Sequence, residues 1–204
     1  MSVTFASRLS SYLARVPQIA LFGAAALVQF ALLALMVIDR IQILRNGTEV
    51  TLQTRAIDPR DLLRGDYVVL GYDISQLPAG ALLNRPAGAR KPEVFVKLAP
   101  NRDGVFEPVS VHAEAVTVAN PEVLIRGRVL YGATCGPRYN AFCDKLTVRY
   151  NLESYFVPEG EGKKLEQARN QRKLMVVAAV LPSGRAAIKR LLLDGEPVYE
   201  EPWF

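Results

Sequence analysis

Histidine and cysteine are scarce in this chain of 204 residues, which has one His and two Cys. So few ligands exclude a His-rich metal site, a zinc ribbon of four cysteines and a disulfide-dense miniprotein. Charge of one sign is not concentrated either, because 25 basic and 20 acidic residues are spread along the sequence. Nucleic-acid binding needs Lys and Arg on one face, so we do not expect it. P-loop, dinucleotide-binding and G-x-S-x-G patterns are absent, and we predict no cofactor and no metal.

Charged side chains are missing from one long segment, the 20 residues from Ile19 to Ile38, where Gln29 is the one strongly polar residue. A helix of this length spans about 30 Å, the thickness of the hydrocarbon core of a bilayer. We therefore predict a transmembrane helix at 19–38, preceded by a cytoplasmic segment at 1–18. The alternatives are a cleaved signal peptide and a buried helix of a soluble protein. A signal peptide has a shorter apolar core that ends in a small-x-small site, which this run lacks, and a soluble helix would show polar positions every third or fourth residue.

The orientation of this helix is not decided by its flanking charges, since basic residues lie on both sides of it. Long domains translocate largely regardless of their charge. We expect the N-terminus inside and the domain at 39–204 outside the cytoplasm.

The sequence after the apolar segment consists of short, alternating, β-branched runs separated by proline and glycine. This pattern predicts a mainly β domain, a partly open barrel or a sandwich, with one or two short helices. One helix is predicted at Gly162–Arg172, and Pro182-Ser183-Gly184 predicts a hairpin turn. The predicted strands are Glu49–Thr54, Tyr67–Tyr72, Val94–Leu98, Val109–Val118, Val123–Tyr131, Leu146–Tyr150, Ser154–Val157, Leu174–Leu181 and Ala186–Leu193.

The most distinctive stretch runs from Asp58 to Tyr72 and reads DPRDLLRGDYVVLGY. Asp58 is a good N-cap and Pro59 a good first helical residue, so a single helical turn is predicted there. Gly65 permits a left-handed turn before the strand that starts at Tyr67. A turn, a capping aspartate and a strand can all be purely architectural.

Five residues of this stretch resemble the motif of the GDYXXLXY family of bacterial membrane-anchored proteins, namely Gly65, Asp66, Tyr67, Leu70 and Tyr72. The resemblance extends to Lys97 in EVFVKL, to Ile125–Arg128 and to Tyr155–Gly160. The family has no assigned activity, and its members often accompany or are fused to a polytopic membrane protein of unknown function.

This resemblance implies an accessory or interaction protein of the bacterial inner membrane, single-pass, with its C-terminal domain in the periplasm. The implied partners are the lipid bilayer and a polytopic membrane protein. The motif residues would serve the fold or docking, with Tyr67 and Tyr72 as interface aromatics.

The segment Phe95-Val96-Lys97 is also similar to type I signal peptidases and self-cleaving repressors, in which a serine precedes a Gly-Asp turn and a lysine base follows it. A desolvated lysine can accept the proton of such a serine. Here the serine position falls near Ala56, and no serine lies between Thr54 and Ile57. This resemblance implies at most a shared scaffold without the nucleophile. A membrane-anchored hydrolase that uses Lys97 is therefore the second hypothesis, and a solvated strand lysine is the alternative.

Cys135 and Cys143 are separated by seven residues in a loop that contains Gly, Pro and Asn. Outside the cytoplasm they would close a disulfide worth roughly 2–3 kcal/mol, and in the cytoplasm they would stay reduced. A zinc site that combined them with His112 would still need a carboxylate such as Asp144. His112 itself has the pattern of a strand-surface residue.

The predicted helix at 162–173 has an excess of basic side chains, with Glu166 as its acidic residue. Such a face can touch anionic lipid headgroups or an acidic partner, and its alternative is a solvated surface. The basic residues are Lys163, Lys164, Arg169, Arg172 and Lys173.

Overall fold

The computed structural model describes residues 18–57, 67–78, 82–83, 93–131 and 145–202. The chain divides into two compact units, residues 1–40 and 41–204, each of which is considered by itself. Several predicted features lie outside the described residues: the helical turn at Asp58, motif residues Gly65 and Asp66, and the cysteines Cys135 and Cys143.

The predicted apolar helix is present as α1, Gln18–Asn46, and continues beyond the predicted end at Ile38. Its large apolar side chains between 19 and 38 are exposed, with Phe22 75% and Phe30 72% exposed. Its length and composition are sufficient to cross a membrane.

The extension of α1 beyond residue 40 has a physical reason within the second unit. Ile43 and Leu44 are buried against Ala179 and Ala187 of the β domain. Small alanine side chains let the helix backbone approach the sheet closely, and the buried apolar surface keeps these last residues helical.

The second unit is mainly β, which confirms the predicted fold class. It contains one further helix within the described residues, α2, Gly162–Asn170, and a 3₁₀ turn at Asp73–Ser75. The strands are β1 Thr48–Arg55, β2 Tyr67–Val69, β3 Gly71–Tyr72, β4 Gln76–Pro78, β5 Leu82–Leu83, β6 Glu93–Pro100, β7 Phe106–His112, β8 Val123–Tyr131, β9 Lys145–Arg149, β10 Ser154–Phe156, β11 Leu174–Val180, β12 Ala186–Leu193 and β13 Glu196–Glu200.

Two sheets form a nearly closed, barrel-like arrangement. One sheet has the order β13-β12-β11-β1-β3, the other β4-β9-β8-β6-β7-β5, and β10 pairs with β2. The sheets meet where Arg126 N donates to Gly184 O at 2.8 Å and where Thr51 bridges Val105. Gly184 has φ 82°, which suits glycine in the predicted β11–β12 hairpin turn and confirms that turn.

The core lies between the sheets and follows the period-2 alternation of their strands. Val50 and Leu52 of β1 point inward, as do Val94, Val96 and Leu98 of β6. Strand β11 departs from alternation, since all but one of its residues are buried. The end of α1 packs on the second face of β11 at Ala179, so both faces of this strand are buried.

Three predicted elements differ from the structure. The strand predicted at Tyr67–Tyr72 is two short strands, because Leu70 N leaves the ladder and donates to Glu153 O. The strand predicted at Val109–Val118 is wrong in its second half, since β7 ends at His112. Helix α2 ends at Asn170, before Arg172 adopts a positive φ of 60°.

Candidate functional site

The described motif residues Leu70 and Tyr72 lie in the core and have no exposed surface. The Tyr72 hydroxyl donates to Leu152 O at 2.5 Å, and Leu70 N donates to Glu153 O at 2.9 Å. Neither side chain lies on the surface of the described part of the domain. Tyr67 is described only as backbone, paired with Phe156 in the β2–β10 ladder.

Two buried tyrosines share one electrostatic environment beside this motif strand. Burial raises the pKa of Tyr72 well above its usual value, and the negative charge of Glu153 raises it further. Burial and Glu153 raise the pKa of Tyr150 in the same way, and its hydroxyl donates to Ile74 O at 2.7 Å. Both hydroxyls are therefore neutral donors that hold backbone carbonyls inside the domain.

Arg169 was expected on the exposed basic face of its helix, and it is instead fully buried. Its guanidinium donates to Val69 O, to Ile57 O at 3.1 Å and to Asn170 Oδ1 at 3.0 Å. Burial lowers its pKa, while Glu166 acts in the opposite direction. Arg169 therefore ties α2 to the motif strand β2 and to the segment that follows β1.

A sequence signal for the burial of Arg169 exists in its helical spacing. Leu165, Ala168 and Arg169 are the buried residues of α2, and positions i, i+3 and i+4 share one face of a helix. The other basic residues of the helix region are exposed and form a solvated face: Lys163, Lys164, Arg172 and Lys173.

Lys97 lies on the outer face of β6, where its Nζ is 2.9 Å from Glu122 Oε1. Its ammonium donates to that carboxylate, so the partner of Lys97 in the structure is an acid and not a hydroxyl. Among the described residues no hydroxyl forms a hydrogen bond with Nζ. Ala56 offers no nucleophile, and the hydroxyl of Thr54 is buried and donates to Leu174 O at 2.5 Å. The described residues therefore do not assemble the hydroxyl–lysine pair that a hydrolase would need.

Strand β7 carries a pair that was not predicted from the sequence, Ser110 and His112. Ser110 Oγ lies 2.8 Å from His112 Nε2, and His112 Nδ1 is buried without a partner in the described part of the chain. Residues i and i+2 of a strand share a face, so the Ser-x-His spacing was an available signal. Across the sheet, Ser110 pairs with Lys97. Within the described ranges no three His, Cys, Asp or Glu residues group into a metal site.

A cleft of about 270 Å³ opens on the outer face of β6, β8 and β9, and we name it the arginine cleft. Three arginines line it, Arg126 and Arg128 of β8 and Arg149 of β9, together with Glu93 of β6. Arg128 stands directly across from Arg149 on one side and from Glu93 on the other. Like charges in directly opposed positions destabilise a sheet, so this pairing is a cost to the fold.

Gly127 explains how β8 can carry two arginines on one face and core contacts on the other. A Cβ at this position would lie 2.3 Å from Val148 Cγ1 and 3.0 Å from the Tyr150 ring. The missing side chain lets Val148 and Tyr150 fill the inner face beneath the cleft. Arg126 and Arg128, on either side of Gly127, are both exposed.

Neither the curated proteins nor the solved structures show a similar chain. A family model described as "GDYXXLXY protein" matches residues 29–191, which include the second half of α1, the motif strands and most of the β domain. Since this match covers most of the sequence, the chain belongs to the GDYXXLXY family.

Proposed function

We propose that this protein is a membrane-anchored accessory protein that acts beside a polytopic membrane partner. The observation that carries the proposal is helix α1, whose apolar side chains between residues 19 and 38 are exposed. Transfer of one large apolar side chain out of water is worth about 1.5–3 kcal/mol, so a segment of this length strongly favours a bilayer.

The second unit supports the accessory role through its described side chains. The motif residues Leu70 and Tyr72 maintain the core, and Lys97 is paired with Glu122. The surface offers a charged cleft on β6, β8 and β9, which suits recognition. The anchor would keep this surface at a high effective concentration near a membrane partner.

The proposal includes a location in the inner membrane of a bacterium, with the β domain in the periplasm. In that compartment Cys135 and Cys143 would form the predicted disulfide. Thiol labelling of intact, unreduced cells tests this placement. Labelling of either cysteine from outside would contradict the disulfide, and labelling only after lysis and without reduction would contradict the periplasmic location.

The partner is tested by crosslinking in native membranes, followed by purification of the full-length protein in detergent. We expect a polytopic membrane protein to be recovered reproducibly. A Phe30→Arg/Leu33→Arg variant, which places two charges in the apolar segment, should lose both membrane residence and the partner. A matched Glu107→Arg/Glu114→Arg variant changes charge in the β domain only and should stay in the membrane.

Two outcomes would overturn the proposal. Release of the intact wild-type chain from membranes without detergent would contradict the anchor. Recovery of no polytopic protein from crosslinked wild-type membranes would contradict the accessory role.

A further inference from the structure

We propose that the arginine cleft binds the side-chain carboxylates of an acidic peptide segment presented by the membrane partner. This inference rests on the proposed function, because it identifies the chemistry by which the partner is recognised. The cleft is the surface formed by Arg126, Arg128 and Arg149 with Glu93, as defined above.

The charges of the cleft are arranged for an anion. Opposed residues on neighbouring antiparallel strands have Cβ atoms about 5 Å apart, and this is the relationship of Arg128 to Arg149. Arg126 lies on the same face of β8, two residues before Arg128 in the sequence. Against three guanidinium groups the lining offers one carboxylate, that of Glu93. A carboxylate placed between the guanidinium groups would offset their mutual repulsion.

The arginines of the cleft are available, in contrast to other surface arginines of the domain. Arg172 is paired with Asp73 at 2.6 Å, and Arg190 is paired with Glu49. Within the described residues, Arg126 and Arg128 form no side-chain hydrogen bond or ion pair, and Arg149 has one distant partner, Glu153 at 3.9 Å. Arg172 and Arg190 are thus neutralised by carboxylates, whereas, in the described part of the chain, Arg126 and Arg128 are not.

The shape of the cleft favours a peptide over a larger organic ligand. A cleft of about 270 Å³ is at the lower limit for small-molecule sites and holds one or two acidic side chains. Leu130, 45% exposed, lies in the lining beside the arginines and offers an apolar contact to the chain of a peptide. The guanidinium fork binds a carboxylate through two parallel hydrogen bonds, which a lysine cannot do.

The test uses the full-length protein in neutral detergent micelles and a fluorescein-labelled hexaglutamate peptide, with binding followed by fluorescence anisotropy. We expect Arg128→Glu to weaken binding at least tenfold and Arg128→Lys to weaken it less, because the lysine keeps the charge and loses the fork. Arg102→Glu is the matched control, since Arg102 is an exposed arginine in the β6–β7 turn. It should bind within twofold of wild type.

Folding of the variants is checked by thermal melting, and Arg128→Glu should melt close to wild type, because it exchanges the like-charge pair with Arg149 for one with Glu93. If Arg128→Glu does not fold, hexaglutamate binding is measured with Arg126→Gln and Arg149→Gln, in which the change of charge is smaller. Equal loss of binding in Arg128→Glu and Arg102→Glu would overturn the site, since it would indicate attraction by overall charge. Displacement of the peptide by inorganic phosphate at the same concentration would overturn the peptide as occupant and indicate a small-anion site.

Failure of this inference can be distinguished from failure of the proposed function. Recovery of the membrane partner by Arg128→Glu at the wild-type level would overturn the inference and leave the accessory role intact. If wild type recovers no partner, the accessory role fails, while hexaglutamate binding that requires Arg128 still supports the cleft as an acidic-peptide site.

Discussion

The hydroxyl of Tyr72 donates a 2.5 Å hydrogen bond to the carbonyl oxygen of Leu152, which lies 80 residues further along the chain. Both residues are buried. The backbone N–H of Leu70 donates to the carbonyl oxygen of Glu153, the residue after Leu152. Two hydrogen bonds thus connect the second half of the family motif to the segment that precedes β10. The buried positions of Leu70 and Tyr72 suit a leucine and a tyrosine whose hydroxyl has an acceptor.

Replacement of Tyr72 by Phe should lower the free energy of unfolding by about 1–3 kcal/mol, because the buried carbonyl of Leu152 loses its donor. The measurement is urea unfolding of the full-length protein in detergent micelles. Tyr199→Phe is the control, since its hydroxyl is 3.4 Å from Glu161 at a partly exposed position, and its effect should stay below about 0.5 kcal/mol. Equal losses in the two variants would contradict the role of the Tyr72 bond.

Alkaline pH should destabilise the domain through the same tyrosines. Burial raises the pKa of Tyr72 and Tyr150 above that of an unfolded tyrosine, about 10. Above that pH the unfolded state loses these protons and the folded state keeps them, so stability falls as pH rises, by about 1.4 kcal/mol per pH unit for each tyrosine. Below about pH 9 these two groups contribute no pH dependence.

The alkaline effect is measured as the urea midpoint at a series of pH values from neutral upward. A Tyr72→Phe/Tyr150→Phe variant should show a shallower decline above about pH 10 than wild type. A slope that is unchanged in this variant would assign the decline to lysines or other groups.

Arg169 should be one of the most sensitive charged positions of the domain. Arg169→Met leaves the carbonyls of Val69 and Ile57 without their donor and should cost about 2–4 kcal/mol in unfolding free energy. Arg172→Met is the matched control, because it removes an exposed ion pair with Asp73 and should cost below about 1 kcal/mol. The prediction fails if chemical denaturation ranks the two variants equally.

Gly127→Ala should destabilise the domain by about 1–3 kcal/mol, because the added methyl group would overlap Val148 and the Tyr150 ring. Gly162→Ala is a suitable comparison, since its Cβ meets nothing closer than Val157 at 3.9 Å and alanine favours the helix. Thermal melting should therefore move in opposite directions for the two variants. Val148→Ala combined with Gly127→Ala should recover part of the loss, and no recovery would argue against the overlap.

Much of the fold could be predicted from the sequence because its signals are local. The apolar helix and the longer strands, such as β1 and β6, show their period in consecutive residues. Strands β4, β5 and β13 were not predicted, since they are short or, like Glu196–Glu200, rich in charge and proline. Their place in the sheets depends on pairing with distant strands, and no local pattern records that pairing.

The arginine cleft was harder to predict because its residues come together only through the register of paired strands. Arg128 and Arg149 are far apart in sequence and become neighbours only through the pairing of β8 with β9. The burial of Arg169 likewise depends on carbonyls of Ile57 and Val69 that α2 reaches across the fold. The sequence identified Lys97 as a residue of interest, but its carboxylate partner Glu122 lies in a connecting segment that has no strand pattern.

The position of β1 has a consequence for biosynthesis. This strand follows α1 almost at once, yet Thr48 pairs with Val180 and Gln53 with Met175. The first strand to emerge must therefore wait several seconds, while more than about 100 further residues are added, before its partner exists. A nascent chain that stops before Leu174 would leave Val50 and Leu52 of β1 without their partner strand, which makes such truncated chains targets for chaperones and quality-control proteases.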